Sequence, residues 1–378
     1  MTNKAIAAHI CFLLCALAVG GELLAADSPI INNGGRWWRD ADGREIICFP
    51  NSVLKVGDTF YMYGEWCFSG ENSGLNALRC YSSKDLSRSK FKNNVLTQDD
   101  SHLINRGTML YNEATGKYVY CYKYRRPMRF PGWKVGDGIL AWANSSTPTG
   151  RFTIANKDPR VGIVAGEVAL FKDTDRKAYA VADGTFLAGE GKRINVYELS
   201  ADYCNIARRV AELGTGQEAA SIIKANGKYW CFTSGLNDWY YSATSYRMAD
   251  NIAGPWTPWT VLQTDPPSTD SFHTQYAGLS YEVRGSAGSV FVWAGLRYWD
   301  TIPVRPIIPP LSASHDARPA NVWLPLEWKD GVPRLRYFDT WYIDAAAGRS
   351  TANPVVKTSA RTTPTSTPDG RQCCRLPQ

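Results

Sequence analysis

The sequence contains few of the residues on which many catalytic centres depend. Only four of its 378 residues are histidines, and His102, His273 and His315 are too widely spaced to suggest a metal cluster or a Ser-His-Asp triad. No cysteine spacing is typical of a zinc site, and there is no phosphate-binding glycine loop, dinucleotide fingerprint or Gly-x-Ser-x-Gly elbow. The chemistry is therefore expected to require no cofactor.

Long stretches of helical periodicity are also absent. The chain instead has 14 Trp, 20 Tyr and 13 Phe residues, with 32 Gly and 21 Pro residues for turns, which is typical of an all-β protein. Its formal net charge is +7, and the segment from Arg349 onward contributes +4 of it, with five basic residues against Asp369. The remaining body has no basic stripe with interleaved aromatics, which argues against a nucleic-acid partner.

The two ends of the chain differ from its body. Residues 1–26 read as an export signal, with Lys4 ahead of an apolar stretch and a small-residue cleavage site at Ala25-Ala26. Residues 346–378 form a basic Thr/Ser/Pro-rich tail with too few apolar residues to fold alone. We therefore predict one domain, 27–345, that is secreted or periplasmic, monomeric, and free of the membrane after signal cleavage.

The cysteines of the body fit an oxidising compartment without defining a framework. Cys67 with Cys80 is the disulfide that such a compartment would permit. Cys121 and Cys231 lie mid-strand between aromatic residues, which favours buried free thiols at both positions.

A strand-turn-strand pattern recurs about every 50 to 60 residues, in the range where repeats signal a propeller or solenoid. Each copy has an apolar run, a short polar turn and an aromatic or β-branched run, and several continue into a third and a fourth strand. The turns are Gly57-Asp58, Gly116-Lys117, Arg176-Lys177, Gly227-Lys228 and Gly288-Ser289. Four strands in five copies predict a five-bladed β-propeller of four-stranded antiparallel blades.

Two glutamates recur within this pattern. Glu167 and Glu218 each lie ten residues ahead of a turn lysine, Lys177 and Lys228. In a propeller the first strand of each blade lines the axis, so a shared offset would direct both carboxylates into one funnel. Solvated strand-end glutamates are the alternative, but Glu167 lies in an apolar run, where a charge requires a reason. Paired acids in an aromatic-rich funnel suit sugars.

The blade around Glu218 carries a family resemblance. The stretch 217–230, followed by Thr233-Ser234-Gly235 and Trp239, resembles the acid-bearing blade of glycoside hydrolase family 43. It is most similar to the exo-β-1,3-galactanase-like branch, and the similarity extends from about Gly43 to Ile343. Tyr63-Gly64-Glu65, Thr274-Gln275 and the stretch 322–326 resemble the same branch.

The resemblance implies an inverting glycosidase with Glu218 as the general acid. Glu167 stands where the family has an aspartate that orients the acid and raises its pKa. Gln275 matches a glutamine that directs the attacking water, which implies a separation of roughly 6.5 to 9.5 Å from the acid. The first-blade aspartate used by most of the family has no counterpart around Asn51. A structural calcium ion in the central channel is compatible with this fold.

Further residues are predicted to bind substrate, and each has a structural alternative. Glu65 could hold a sugar hydroxyl or be a solvated strand-end acid, and tryptophans could form subsites or pack between blades. Asn105 replaces a substrate-contacting glutamate of the branch. The set consists of Glu65, Asn105, Arg106, Trp239, Trp299 and Arg318, with Trp323 as a further platform.

These patterns predict a polysaccharide or oligosaccharide substrate. β-1,3-Linked galactan is the first expectation, and an arabinan- or xylan-directed enzyme of the family is the second. A carbohydrate-binding propeller without turnover is the alternative of a different class, favoured by the missing first-blade acid and by Asn105. A protein-interaction propeller is a third alternative and would require large exposed apolar patches.

Overall fold

The computed structural model describes residues 31–34, 38–46, 48–66, 77–97, 103–125, 138–158, 164–185, 193–237, 240–297 and 320–352. The predicted export signal and the chain from residue 353 lie outside these ranges. No helix within them is long and apolar enough to cross a membrane.

Four sheets have four antiparallel strands each, paired in the order in which they occur along the chain. Sheet 1 contains β2 (Phe49–Val56), β3 (Thr59–Trp66), β4 (Ala77–Ser83) and β5 (Lys90–Thr97). Sheet 2 contains β6 (Leu103–Asn112), β7 (Lys117–Arg125), β8 (Ile139–Ser145) and β9 (Thr153–Asp158). Sheet 3 contains β10 (Val164–Lys172), β11 (Ala178–Thr185), β12 (Arg193–Leu199) and β13 (Ile206–Thr215). Sheet 4 contains β14 (Gln217–Ala225), β15 (Lys228–Gly235), β16 (Thr244–Ala249) and β17 (Thr260–Val261).

Two further sheets complete the described structure. Sheet 5 contains β18 (Gln263–Asp265), β19 (Gln275–Arg284), β20 (Ser289–Arg297), β21 (Ala320–Lys329) and β22 (Val332–Arg336). Its β18 pairs parallel with β22, and the other pairs are antiparallel. Sheet 6 contains β1 (Ile31–Asn32), β23 (Thr340–Asp344) and β24 (Arg349–Ala352), with β23 in the middle.

The all-β propeller of four-stranded antiparallel blades is thus confirmed, but the predicted number of five blades is wrong. The described residues form six sheets, and the sixth joins β1 to β23 and β24 near the two ends of the described chain. The hairpin repeat did not indicate it, because β1 pairs with a strand that follows it by most of the chain length. Ordered structure also extends to Ala352, beyond the predicted domain boundary at residue 345.

The first strands of sheets 1 to 5 contact one another in a closed ring, in the order β2, β6, β10, β14, β19 and back to β2. Each is joined to the next strand by the hairpin that the sequence predicts. Gly57, Gly116 and Gly227 have positive φ values of 61°, 65° and 75°, a conformation that favours glycine. Glycine at these positions therefore accounts for the tight turns. The ring brings the beginnings of five first strands together at one end of the central channel, which is called the mouth below.

Large aromatic side chains fill the space between the sheets. Trp142, Trp293, Trp323 and Trp341 are among the largest fully buried side chains. Trp323 packs edge-on against Trp38 and Tyr281. The suggestion that Trp323 forms a sugar platform is therefore wrong, because its ring is enclosed in the core.

The described cysteines are buried free thiols, as predicted for Cys121 and Cys231. Cys80 is also free, and its thiol approaches the carbonyl oxygen of Pro148 at 3.8 Å. The expected disulfide between Cys67 and Cys80 is therefore not supported, and Cys67 lies outside the described residues.

Candidate active site

Each first strand of the ring has a β-bulge close to its beginning. The pairing register shifts between Pro50 and Ser52, Asn105 and Gly107, Ala165 and Val168, Glu218 and Ser221, and Tyr276 and Leu279. A bulge leaves extra residues outside the ladder and turns their side chains away from the regular alternation. All five bulges lie at the mouth where the first strands begin, and the predicted catalytic residues are within or beside three of them.

Glu167 and Glu218 do not occupy the same position in their strands, although both precede a lysine by ten residues. Glu167 lies directly before Val168, where pairing resumes, whereas Glu218 lies before the bulge, three residues ahead of Ser221. The ten-residue spacing from glutamate to lysine is the same in both sheets only because a longer turn in sheet 3 compensates for the later position of Glu167 in its strand. Residues 173–177 connect β10 to β11, whereas only residues 226 and 227 connect β14 to β15. The predicted common offset is therefore corrected, while both residues remain at the same mouth.

Arg106 is the bulged residue of β6 and is held by two carboxylates. Its Nε lies 3.2 Å from Glu167 Oε1 and 3.9 Å from Glu65 Oε1, and its backbone N–H donates to Glu65 Oε2. Arg106 has a φ of 38°, a left-handed conformation that costs energy in a residue with a side chain. The buried Glu65 carboxylate offsets this cost, because it binds both the backbone and the guanidinium of Arg106.

Glu65 is fully buried, so in this arrangement it acts on Arg106 and is not a solvated strand-end acid. Glu167 is partly exposed, with one-fifth of its side-chain area accessible. Its Oε1 faces Arg106, while its Oε2 is buried and accepts no hydrogen bond from the described residues. Glu167 therefore retains one acceptor that no described residue satisfies.

Asp183, on β11, connects the sheets that carry the two glutamates. Its carboxylate is completely buried, and it accepts the backbone N–H of Glu167 and, at 3.2 Å, that of Ala219. The sequence analysis missed this residue. The signal was present, because Asp183 directly follows an apolar stretch of five residues, Ala178 to Ala182, and the same argument had drawn attention to Glu167.

Gln275 begins β19 and donates from Nε2 to Glu218 Oε1 at 3.1 Å. This contact confirms that the first strands of sheets 4 and 5 bring these side chains together. It also corrects the expected separation of roughly 6.5 to 9.5 Å, which leaves room for water in inverting glycosidases. Because the two side chains are in direct hydrogen-bond contact, this conformation leaves no room for a sugar ring and a water molecule between them.

An unusual turn places Gln275. Ser271, Phe272 and His273 have positive φ values of 52°, 64° and 56°. Three consecutive left-handed residues that are not glycine are costly and persist only where the surroundings hold them. The Thr274 hydroxyl donates to the Ser271 carbonyl oxygen, and Arg297 donates to the Phe272 carbonyl oxygen at 3.1 Å. The turn is therefore held from both sides, directly ahead of Gln275.

Polar contacts join every pair of neighbouring sheets around this mouth. Glu65 contacts Arg106, Arg106 contacts Glu167, Asp183 bridges to Ala219, and Glu218 contacts Gln275. The ring closes where Asn321 of sheet 5 donates to the Cys48 carbonyl oxygen, next to β2, at 3.2 Å. Four carboxyl groups accompany one guanidinium in this set of hydrogen-bonding residues.

Of the remaining predicted site residues, the structure describes some and not others. Asn105 lies in β6 next to Arg106, and only its backbone is described. Trp239, Trp299 and Arg318 lie outside the described residues. Asn51 is the bulged residue of β2 and is buried, and both of its amide atoms are without hydrogen-bond partners in the described residues. Asn51 thus places an amide, and not a carboxylate, in the β2 bulge.

No group of three His, Cys, Asp or Glu side chains in the described ranges is arranged to hold a metal ion. The calcium ion considered for the central channel stays a prediction, because backbone and amide oxygens can also bind calcium. Carboxylates, an arginine and amides are the chemistry that the mouth provides.

This protein is a β-propeller that carries carboxylates where the first strands of its sheets begin. No protein-family model and no curated protein match the chain. Solved structures do match it. An exo-β-1,3-galactanase from Clostridium thermocellum superposes with a TM-score of 0.71 at 26% sequence identity, over 87% of this chain and 70% of that one.

Two other matches are similar in extent. An exo-β-1,3-galactanase from Phanerochaete chrysosporium with galactose has a TM-score of 0.69 and 23% identity, over 86% of this chain and 70% of that one. A family 43 β-1,3-galactosidase with galactodeoxynojirimycin has a TM-score of 0.64 and 22% identity, over 82% and 99%. The propeller fold expected from the sequence resemblance is therefore shared with structures of the exo-β-1,3-galactanase branch.

Proposed function

We propose that this protein is a glycoside hydrolase that cleaves β-1,3-linked galactan with inversion of anomeric configuration. The observation that carries the proposal is the contact between Glu218 and Gln275, beside the Glu167–Arg106–Glu65 cluster, at one mouth of the propeller. Support for the substrate comes from the exo-β-1,3-galactanase of 26% identity that shares the fold over most of both chains.

In the proposed reaction, Glu218 donates its proton to the glycosidic oxygen as the bond to the anomeric carbon breaks. A water molecule forms the new bond to that carbon from the opposite face of the ring, which inverts its configuration, and the proton that this water loses passes to solvent. Proton donation in place is expected to contribute about 10²- to 10⁴-fold to the rate. Glu167 and Arg106 are proposed to orient the acid and the sugar at the neighbouring sheet.

Gln275 has a double role in this scheme. Without substrate its amide donates to Glu218 and holds the acid in place. When a sugar occupies the mouth, the amide would release Glu218, and its carbonyl oxygen would accept a hydrogen bond from the attacking water.

The chain from Asp27 should be incubated with β-1,3-galactan, arabinan, arabinoxylan and aryl glycosides, and released sugar followed by NMR of the anomeric proton. We expect an inverted monosaccharide from galactan, and a loss of about 10²-fold or more in Glu218→Gln. Glu113→Gln is the matched control, because this exposed glutamate pairs with Lys172 near the opposite ends of the strands. Release from arabinan or arabinoxylan alone would replace galactan as the substrate.

A carbohydrate-binding propeller without turnover is the second candidate. The amide of Asn51 in the β2 bulge favours it, because an amide is a poor general base, and so does the closed contact between Gln275 and Glu218. If the chain releases no sugar from any glycan yet is retarded by galactan in an affinity gel, this second function is the correct one.

A further inference from the structure

Asp183 stands out among the buried charged groups because nothing in the proposed reaction requires it to touch substrate. It follows an apolar segment of β11, and none of its surface is exposed. Isolated buried carboxylates are strongly destabilising unless they are hydrogen-bonded. Here both oxygens accept backbone N–H groups, Oδ1 from Glu167 in sheet 3 and Oδ2 from Ala219 in sheet 4.

Both donors belong to bulges. Residues 166 and 167 lie outside the β10–β11 ladder, and residues 219 and 220 lie outside the β14–β15 ladder. A bulge takes residues out of the ladder, so their N–H groups need other acceptors. Asp183 supplies such an acceptor to each bulge, and bonds to an ionised carboxylate are stronger than neutral ones.

The two bulges set the positions of the two glutamates. Glu167 is itself a donor, and Glu218 directly precedes the second donor, Ala219. Ala219 has a φ of 54°, a left-handed conformation that must be maintained by its surroundings. On its other side the backbone of Ala219 lies against Gly278 of the β19 bulge, where an added Cβ would be 3.5 Å from the Ala219 carbonyl oxygen. Ala219 is thus enclosed between sheets 3 and 5.

We infer that Asp183 is a positioning residue, which holds the Glu167 and Glu218 bulges in register so that the two carboxyl groups are presented together at the mouth. The inference rests on the proposed function for its catalytic consequence, but the clamp itself does not depend on it. A clamp of this kind acts on the backbone, so its loss displaces both glutamates without removing either one.

Asp173 provides a matched comparison. It also connects sheets 3 and 4, through Lys224 at 2.7 Å and through Tyr229, but it lies at the opposite end of β10. Asp173→Asn and Asp183→Asn therefore weaken the same pair of sheets by the same chemical change. Only the second variant removes an acceptor from the bulges.

The first measurement is amide hydrogen exchange, which requires no substrate. In the unmutated protein the amides of Glu167 and Ala219 should exchange at least about 10²-fold more slowly than unprotected amides. In Asp183→Asn, exchange at one or both should accelerate about tenfold, with no such change in Asp173→Asn. Unprotected exchange at both positions in the unmutated protein would overturn the inference, even if the variant failed to fold.

The second measurement is turnover of galactan oligosaccharides. Misplacement of a catalytic group by about 1 Å can cost about 10²-fold, so kcat of Asp183→Asn should fall by about that factor with KM within about threefold of the unmutated value. Asp183→Glu keeps the charge but moves both oxygens, and its kcat should also fall. A kcat of Asp183→Asn within twofold of the unmutated protein, or an equal loss in Asp173→Asn, would overturn the positioning role.

The two measurements separate this inference from the proposed function. If the unmutated chain hydrolyses no glycan, the proposed function fails, whereas amide exchange still decides whether Asp183 clamps the bulges.

Discussion

Arg106 shows how single residues determine the charge balance of the mouth. Its guanidinium is nearly buried and lies between Glu65 and Glu167. Removing one partner of a buried ion pair leaves an uncompensated charge, at a cost of about 3 to 5 kcal/mol. We expect Arg106→Met to lower the free energy of unfolding by about that amount at pH 7, as measured by urea denaturation.

The matched control for this prediction is Arg208→Met. Arg208 pairs with Glu198 at 2.5 Å, but its side chain is mostly exposed, and surface pairs contribute only about 0 to 1 kcal/mol. The double variant Arg106→Met with Glu65→Gln should recover part of the loss, since it removes one of the stranded charges. If Arg106→Met and Arg208→Met lowered the free energy of unfolding equally, the buried charge network around Arg106 would be contradicted.

Burial also determines the behaviour of the thiols. It raises the pKa of Cys48 and of Cys80 to about 12 each, so at pH 8 only about one thiol in 10⁴ is ionised and reactive. Iodoacetamide at pH 8 should therefore leave both residues unmodified in the native protein and label both in urea, as read from peptide masses. Labelling of native Cys80 at the rate of an unfolded thiol would contradict its burial.

Residues that contact one another across neighbouring strands were partly predictable. Glu218 was assigned to the centre from the repeat and Gln275 from the family resemblance, and the two side chains are in direct contact. Their distance was not predictable, because it depends on side-chain rotamers at two bulges. The charge of Asp183 directly after an apolar stretch was visible in the sequence, but its partners were not predictable, because they are backbone N–H groups that leave no trace in the identity of Glu167 or Ala219.

At the scale of strands and turns, Asp173 joins the hairpins of sheets 3 and 4. Burial of its carboxyl group acts to raise its pKa, but hydrogen bonds from Lys224, Tyr229 and the Thr174 backbone outweigh burial and hold the pKa below its ordinary value of 3.8. A lowered folded-state pKa contributes stability above pH 3.8, and this contribution is lost as the pH falls through the folded-state pKa.

Asp173→Asn should accordingly lower the free energy of unfolding at pH 7 by about 1 to 3 kcal/mol, the range for hydrogen bonds to a charged group. The difference between variant and unmutated protein should shrink when urea denaturation is repeated at pH 3. A difference that stays constant between pH 7 and pH 3 would show that the charge of Asp173 is not the stabilising element.

The hairpins were predictable because glycine and asparagine in a turn encode the turn locally. The register of Glu167 relative to Glu218 was not. A five-residue connection between β10 and β11, against two residues between β14 and β15, hid a difference in strand position behind an identical spacing. The bulges were not predictable either, since the extra residues they accommodate look like ordinary strand residues in the sequence.

At the scale of the whole molecule, the number of sheets was not predictable from the sequence. Sheet 6 pairs Ile31 with Trp341, and no local pattern encodes a contact over such a separation. The propeller itself was predictable because the repeat has a regular period and each unit is local. Closure of the chain is thus a property of the entire fold, in contrast to the hairpins from which the fold is built.

Asn33 secures this closure. Its side-chain amide donates to the Trp323 carbonyl oxygen at 2.7 Å and accepts from the Trp323 N–H at 3.0 Å, across 290 positions of the chain, and both bonds are buried. The Trp341 ring N–H also donates to the Trp323 carbonyl oxygen at 2.8 Å. The backbone of Trp323 is therefore one point at which sheet 5 is connected to sheet 6 and to the residue that follows β1.

Asn33→Ala leaves the Trp323 N–H buried and without the Asn33 acceptor, so the free energy of unfolding should fall by about 1 to 3 kcal/mol. Asn32→Ala, a change of the exposed neighbouring residue, should stay within about 0.5 kcal/mol. Urea denaturation of both variants measures the difference.

Because the contact connects the two ends of the described chain, Asn33→Ala should also increase the rate of amide exchange in β23 and β1 more than in the other strands of the propeller. An equal effect of the two variants, or an unchanged exchange rate in β23, would show that the propeller is closed by other contacts.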